Sequence, residues 1–338
     1  MEITTIGVDL AKNVFQVHGM NAHGKTAVRK RLSREKFLTF FANLPSCLVA
    51  MEACGSSNFW ARRLKVLGHD ARLISPQFVK PYVKTNKNDF NDAEAICEAA
   101  TRPQMRFVPL KNIDQQDIQA VHRVRQLLVQ QRTALVNQAR GLLREYGVFI
   151  PAGISQFRHA IAGVLEDAEN ELTDLTRQLM ADLYQRLLEL DRQIADYERH
   201  IARLSREQPV CQRMEKVEGV GVLTATALMA TVGDAKVFKN GRQMSAWLGL
   251  VPRQHSSGEH NRLFGISKRG DIYVRSLLIH GARSVLLRCK HKTDPKSRWL
   301  RRLIERRGFN RACVALANKN ARTLWALMAH GEDYRLAA

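Results

Sequence analysis

Between Leu165 and Leu204, apolar residues recur at alternating intervals of three and four. They run through Ala168, Leu172, Leu175, Leu179, Leu183, Leu187, Leu190, Ile194, Tyr197 and Ile201. Only a helix gathers residues so spaced on one side, and the local run of fours reads as a stutter in a heptad pattern. One helix through the whole run extends about 60 Å at 1.5 Å per residue, and its apolar stripe needs a partner. The partner is either the helical segment of about Gln115–Tyr146 or the same element of another protomer, so residues 111–206 are expected to form an antiparallel or intermolecular coiled coil. Gly147–Gly153, with Pro151, is the expected turn. Arg123, Arg125, Arg132, Arg140 and Arg144 make the first helix basic, as a solvated face or as a lining for nucleic acid.

The residues on either side differ in pattern. Residues 1–110 alternate short β-rich runs with helical ones. Strands are expected at Ile3–Leu10, Val14–Met20, Lys25–Leu32, Cys47–Glu52 and Ala71–Ile74. A helix capped by Ser33 follows the third run, a second spans Gly55–Gly68, and another starts at about Asp89. Three strands, a helix, a strand, a helix, a strand and a helix is the order of an RNase H-like domain. Residues 207–338 are mostly helical and very basic.

Lys plus Arg number 53 and Asp plus Glu 32 in 338 residues, a net charge of +21. That balance favours a polyanion, with nucleic acid ahead of an anionic membrane surface. No apolar run is long enough to span a bilayer. The first residues lack a signal-peptide pattern, and the six cysteines show neither close pairs nor zinc spacing, so reduced thiols in the cytoplasm are expected.

In so basic a chain, four acids are conspicuous. Asp9 ends Ile-Gly-Val-Asp, Glu52 ends Cys-Leu-Val-Ala-Met-Glu, and Asp89 and Asp92 stand three apart at a helix start. In the strand order above, all four meet at one sheet edge. Carboxylates so gathered repel one another, and a divalent cation bound against a phosphate backbone relieves them. Taken singly, Asp89 and Asp92 also suit a helix cap. Glu94, two positions after Asp92, points away.

In the C-terminal segment, Gly219 and Gly221 open a helix, as in the hairpin of a helix-hairpin-helix module that holds a DNA phosphate on its N–H groups. A glycine turn between packed helices is the equal alternative. Arg253, Arg262, Lys268, Arg269 and Arg275 make a dense positive region suited to phosphate contacts. Trp299, Leu300, Leu303 and Ile304 supply the core face of a basic helix at Lys296–Arg307.

Gly-Val-Asp-Leu-Ala-Lys, Met-Glu-Ala-Cys-Gly, Lys-Asn-Asp-Phe-Asn-Asp-Ala, Trp-Leu-Gly-Leu-Val-Pro, Arg-Gln-His-Ser-Ser-Gly and Gly-Ile-Ser-Lys-Arg-Gly-Asp together carry a resemblance over nearly the whole chain. The sequence resembles the DEDD transposases of the IS110 (insertion sequence one-ten) family, also called bridge-RNA-guided recombinases, and the Gln-His-Ser-Ser-Gly form resembles the family's second large subgroup. Many relatives have Lys-Thr-Asp where this chain has Lys-Asn-Asp, with the acid kept.

The resemblance implies a RuvC-type RNase H-like domain over 1–110, a coiled-coil region over 111–206 and a C-terminal transposase domain over 207–338. It implies that Asp9, Glu52, Asp89 and Asp92 bind Mg²⁺ and that Ser257 is a nucleophile, with Ser256 its neighbouring decoy. It further implies double-stranded target and donor DNA, a noncoding guide RNA pairing with both, and a covalent serine–DNA intermediate. The catalytic centre would be composite, in a homo-oligomer that is a dimer or a tetramer. A hydrolytic RuvC-like nuclease and a non-catalytic nucleic-acid scaffold are the competing readings.

Overall fold

A central sheet is built from short runs whose apolar residues alternate with small or polar ones. The computed structural model describes residues 2–84, 88–257 and 260–335. It divides into two units, Met1–Ile113 and Asp114–Ala338. In the first, β1 (Thr5–Leu10), β2 (Val14–Met20) and β3 (Thr26–Ser33) form an antiparallel meander. Then come α1 (Lys36–Ala42), β4 (Leu48–Glu52), α2 (Ser57–Val66), β5 (Asp70–Ile74), α3 (Pro76–Val79), α4 (Asp89–Ala100) and β6 (Phe107–Val108). The sheet order is β3-β2-β1-β4-β5-β6, with β4 parallel to both β1 and β5. This mixed sheet with helices on both faces fits an RNase H-like domain.

Alternation sorts the two faces. Ile6, Val8, Phe15 and Val17 point to one side, where Phe37, Phe41 and Trp60 from α1 and α2 close a core. Phe15 meets Phe37 and Trp60 edge-on, with ring centroids 4.8 and 5.1 Å apart. Thr5, Gly7 and Asp9 point to the other side, which α4 covers. A Cβ at Gly7 would overlap the Ala93 carbonyl oxygen and the Cys97 backbone, so the α4 backbone rests directly on β1.

Two details of this unit differ from expectation. Ser33 ends β3 instead of capping α1; the cap position is Glu35, although Ser33 Oγ still accepts the Lys36 amide at 3.4 Å. The two-residue β6, antiparallel to β5, has too little pattern to be seen in sequence.

The second unit begins with α5 (Ile113–Arg144), α6 (Ile154–Glu166) and α7 (Asp174–Glu207). Arg125 pairs with Glu198, Arg132 with Asp191, and Tyr146 with Thr176. Partners that rise along α5 fall along α7, so the two run antiparallel within one chain. Leu128, Leu135, Leu143, Leu187, Leu190 and Ile194 are buried together with Phe157 and Ile161 of α6. Of the basic residues of α5, Arg125 and Arg132 are held by their ion pairs and Arg140 donates to the Ile150 carbonyl, whereas Arg123 and Arg144 are exposed, Arg144 lying over the exposed Phe149.

The single helix expected from Leu165 to Leu204 is corrected. Leu165 belongs to α6, Ala168 and Leu172 lie in a connection, and α7 starts only at Asp174. Polar side chains interrupt the apolar rhythm there. Asp167 accepts the Glu169 amide, Asn170 the Leu172 amide, and Thr173 caps α7 by accepting the Thr176 amide. Such local bonds compete with helix continuation. The helix is therefore about 50 Å long at 1.5 Å per residue.

The chain continues through α8 (Pro209–Glu215), α9 (Val222–Val232), α10 (Gly241–Trp247), the strands β7 (Pro252–Ser257) and β8 (His260–Ile266), α11 (Ile272–Arg288), α12 (Pro295–Arg307) and α13 (Phe309–His330). Leu228, Leu278, Leu286, Leu300, Leu316 and Leu324 centre the core, and Trp299, Leu303 and Ile304 pack at its margin as expected. Among the described residues no helix is long and apolar enough to cross a membrane. All six cysteines are free.

One buried polar chain fastens α5 to the helices after it. His122, 2% exposed, lies 3.0 Å from both Tyr273 Oη and Thr226 Oγ1. Thr226 donates to the Val222 carbonyl, so His122 Nε2 is the donor to Thr226 and Nδ1 accepts from Tyr273. Burial, with Arg125 nearby, lowers the His122 pKa from 6.5 to about 4. The unfolded state then binds the extra proton first as pH falls. Stability contributed by neutral His122 is complete above pH 6.5 and is lost down to about pH 4, by about 3 kcal/mol. Denaturant titrations across that window are expected to show this added slope in the parent protein and not in His122→Gln.

Candidate metal centre and serine hairpin

Strand and helix ends bring the acids together. Asp9 lies near the end of β1, and β4 runs parallel beside it and finishes at Glu52. Because α4 lies on β1, its first turn comes over the same edge. That turn is capped by Asn88, whose Oδ1 accepts the Phe90 amide at 3.0 Å. Asn is among the favoured N-cap residues, so the Asn of Lys-Asn-Asp is suited to start the helix. With Asn88 in the cap position, Asp89 and Asp92 occupy the first turn, where the helix dipole also favours a negative charge.

One carboxylate oxygen each from Asp9, Asp89 and Asp92 lies within 4.8 Å of the other two. Two oxygens bound 2.1 Å from one Mg²⁺ are at most about 4.2 Å apart, so a cation would draw the three in slightly. Hard, oxygen-only donors of this kind suit Mg²⁺, Mn²⁺ or Ca²⁺. Glu52 stands outside that tight group but feels it. Burial raises its pKa, and the charges of Asp9 and Asp92 raise it further. Glu94 is drawn elsewhere: Lys84 bridges it at 3.6 Å and Glu98 at 3.0 Å. Sequence reasoning missed two neighbours of the site. Arg29 of the edge strand β3 stacks 4.8 Å from the Phe90 ring centroid, and the exposed Cys54 follows Glu52 by two residues.

In the second unit, β7 and β8 form an exposed hairpin. Gly258 and Glu259, between the strands, lie outside the described residues. The register pairs Gln254 with Leu263, His255 with Arg262, Ser256 with Asn261, and Ser257 with His260. Paired residues share a face, and the faces alternate. Ser256 is held on one face, donating to Asn261 Oδ1 at 2.8 Å and accepting from Gln254 Nε2 at 2.9 Å. Ser257 lies on the other, with His255, His260 and Arg262. Arg262 and Arg253 both stack on Phe264, at 5.2 and 6.0 Å.

The remaining residues singled out in sequence divide in character. Lys268 and Arg269 are exposed, Lys268 in the left-handed region at φ 55°. Arg275 is different: it is 6% exposed and its Nη1 donates to the carbonyls of Leu248 and Arg269. The expectation of a surface phosphate contact from Arg275 is thus corrected, because the guanidinium holds the loop that presents Arg269. Gly219, at φ +86°, faces Gly281 of α11 so closely that a Cβ would sit 2.8 Å from the Gly281 oxygen. This is the glycine contact between packed elements. Gly221 has open space around it and precedes Val222, which lines a cavity of about 460 Å³ with Arg199, Arg203 and Arg206.

Comparison with known proteins decides the family. Residues 6–148 match the family model of DEDD transposases of the IS110 type, described as "Transposase", and residues 211–298 match "Transposase IS116/IS110/IS902 family". The chain is 52% identical to "Probable family 20 transposase" of Pseudomonas aeruginosa, over 99% of both chains. It is 49% identical to "Transposase for insertion sequence element IS1111A" of Coxiella burnetii, over 100% of this chain and 93% of that one. With "Transposase for insertion sequence element IS1328" of Yersinia enterocolitica the identity is 42%, over 97% and 98%. The chain belongs to the IS110 family of DEDD transposases.

An IS110-family transposase requires a divalent metal, and the three converging carboxylates of this transposase fit one. Without the ion, burial and like charge make the Glu52 carboxylate a cost to folding above its raised pKa. That cost disappears as pH falls toward its ordinary 4.5. In chelator at pH 7, Glu52→Gln is therefore expected to melt roughly 2 °C higher than the parent transposase. The difference should close near pH 4.5, and Mn²⁺ should stabilise the parent more than the variant, all read by thermal melts.

Proposed function

We propose that this transposase is an Mg²⁺-dependent, RNA-guided recombinase that cuts and rejoins DNA through a covalent link to Ser257. The convergence of Asp9, Asp89 and Asp92 within 4.8 Å, with Glu52 beside them, is the observation that carries the reading. A bound divalent cation supplies charge neutralisation at a scissile phosphate. Asp9, Asp89 and Asp92 hold it and Glu52 tunes the local field.

Ser257 then attacks phosphorus in line: its Oγ–P bond forms as the P–O bond to the leaving ribose breaks, and that oxygen leaves as a hydroxyl after taking a proton from solvent. The Ser257 proton passes to an imidazole on the same hairpin face, with His260 directly across the strand pair. Attack by a ribose hydroxyl of the other DNA end on the phosphoserine reverses the step and frees Ser257. Arg253, Arg262, Lys268 and Arg269 hold backbone phosphates, and so do the amides near Gly221. Positive charge without a base-reading motif fits selection of target and donor DNA by a pairing guide RNA. Exposed Leu127, Leu175, Leu179 and Leu188 on α5 and α7 suit a coiled-coil contact in a homo-oligomer, a dimer that pairs into a tetramer on two DNA ends. In that assembly the acids of one protomer meet the serine of another.

The test uses the transposase with its co-purified RNA, sequenced to identify an element-encoded guide, and labelled target and donor DNA. A denaturant-resistant protein–DNA adduct is expected from the parent and from Ser256→Ala. Ser257→Ala should lose both adduct and joined product, and Asp9→Asn should lose cleavage altogether. Undiminished strand cleavage by Ser257→Ala would instead identify a hydrolytic nuclease.

A further inference from the structure

We propose that the amide carbonyl of Gln16 is an additional oxygen donor to the cation held by Asp9, Asp89 and Asp92, an inference that rests on reading those acids as a metal centre. Gln16 stands directly opposite Asp9 in the antiparallel register of β1 and β2. Opposed residues project from the same face with Cβ atoms about 4.5–5.5 Å apart. That face is the one α4 covers, as the closeness of Gly7 to Ala93 and Cys97 shows, and α4 brings Asp89 and Asp92 to the same edge. Gln16 is 6% exposed, yet its Oε1 is buried without a hydrogen-bond partner.

A buried carbonyl left unmatched costs about 1–3 kcal/mol. Phe15 and Val17, its neighbours on β2, point into the opposite, apolar core, so the position under α4 is set apart. A cation beside Asp9 gives this oxygen its missing partner. A neutral donor suits this place, because it adds an oxygen without adding to the repulsion among the three gathered carboxylates. Amide carbonyls are ordinary ligands of hard divalent ions.

His18, two residues along the same face, also has a buried Nδ1 without a partner. It pairs with Gly7, one pleat further from Asp9, and burial lowers its pKa. As an imidazole farther from the carboxylates it is the weaker donor for a hard ion.

The test measures Mn²⁺ binding to the full-length protein by calorimetry, with circular dichroism to verify the fold. Gln16→Met keeps length and removes the oxygen; it is expected to weaken Mn²⁺ about tenfold. It is also expected to melt higher than the parent in chelator, since an unpaired buried carbonyl has been removed, whereas a merely structural glutamine would give a lower melting temperature. Parent-like Mn²⁺ affinity in Gln16→Met, with binding lost in Asp9→Asn, would overturn the role of Gln16 and leave the acid centre standing. Unchanged affinity in Asp9→Asn as well would remove the centre itself. Should Gln16→Met fail to fold, Gln16→Leu, which also lacks the oxygen, decides instead: weaker Mn²⁺ binding supports the donor, and parent-like binding overturns it.

Discussion

The contact between the backbone of α4 and the backbone of β1 at Gly7 is the constraint from which the gathering of the acids follows. Any side chain at that position would collide with the Ala93 carbonyl and Cys97. With none, the helix settles onto the strand, and its first turn reaches the strand end that carries Asp9. Lifting α4 by the width of a methyl group would separate Asp89 and Asp92 from Asp9 by more than the slight contraction a cation imposes. The glycine of Ile-Gly-Val-Asp and the aspartate two residues later are thus one device, the first setting distance and the second using it.

A second glycine contact works the same way in the other unit. Gly219 and Gly281 bring the start of α9 against α11. Arg275, one turn into α11, then holds the loop that carries Arg269. His122 ties α5 to α9 and α11 through Thr226 and Tyr273. Close backbone approach and buried, fully matched polar groups therefore position the exposed cations on this side. The exposed residues themselves contribute little to stability, which leaves them free to meet a ligand.

Sequence pattern made the first five strands, α4 and the four acids legible, because period-two alternation and a capped helix start are local signals. What it missed was decided by contacts between distant residues or by polar competition. The break between α6 and α7 is invisible to an apolar count, since Ala168 and Leu172 keep the rhythm while Asp167, Asn170 and Thr173 end the helix with side-chain bonds. Arg275 looks like its basic neighbours until the fold buries it. In sequence, Ser257 is set apart from Ser256 only by family resemblance, as the serine before Gly, and not by any local physical signal. Strand register separates them, giving one to Asn261 and Gln254 and the other to the face of His255, His260 and Arg262. Gln16 carried no signal in sequence at all; its meaning depends on a register partner and on a burial that only the fold provides.

Charge completes the physical picture. A chain with a net +21 repels itself and attracts polyanions over its whole surface, but general attraction does not choose a bond to break. A small region of opposite sign is needed, and it is costly: Glu52 is pushed toward protonation by burial and by its neighbours. A cation at this edge would lower that cost and would offset the repulsion of a phosphate by the acids. Arg29, stacked on Phe90 between Asp89 and Asp92 in sequence, adds a fixed positive charge beside the acids, so the opposite signs at this edge stand side by side in a chain that is basic elsewhere.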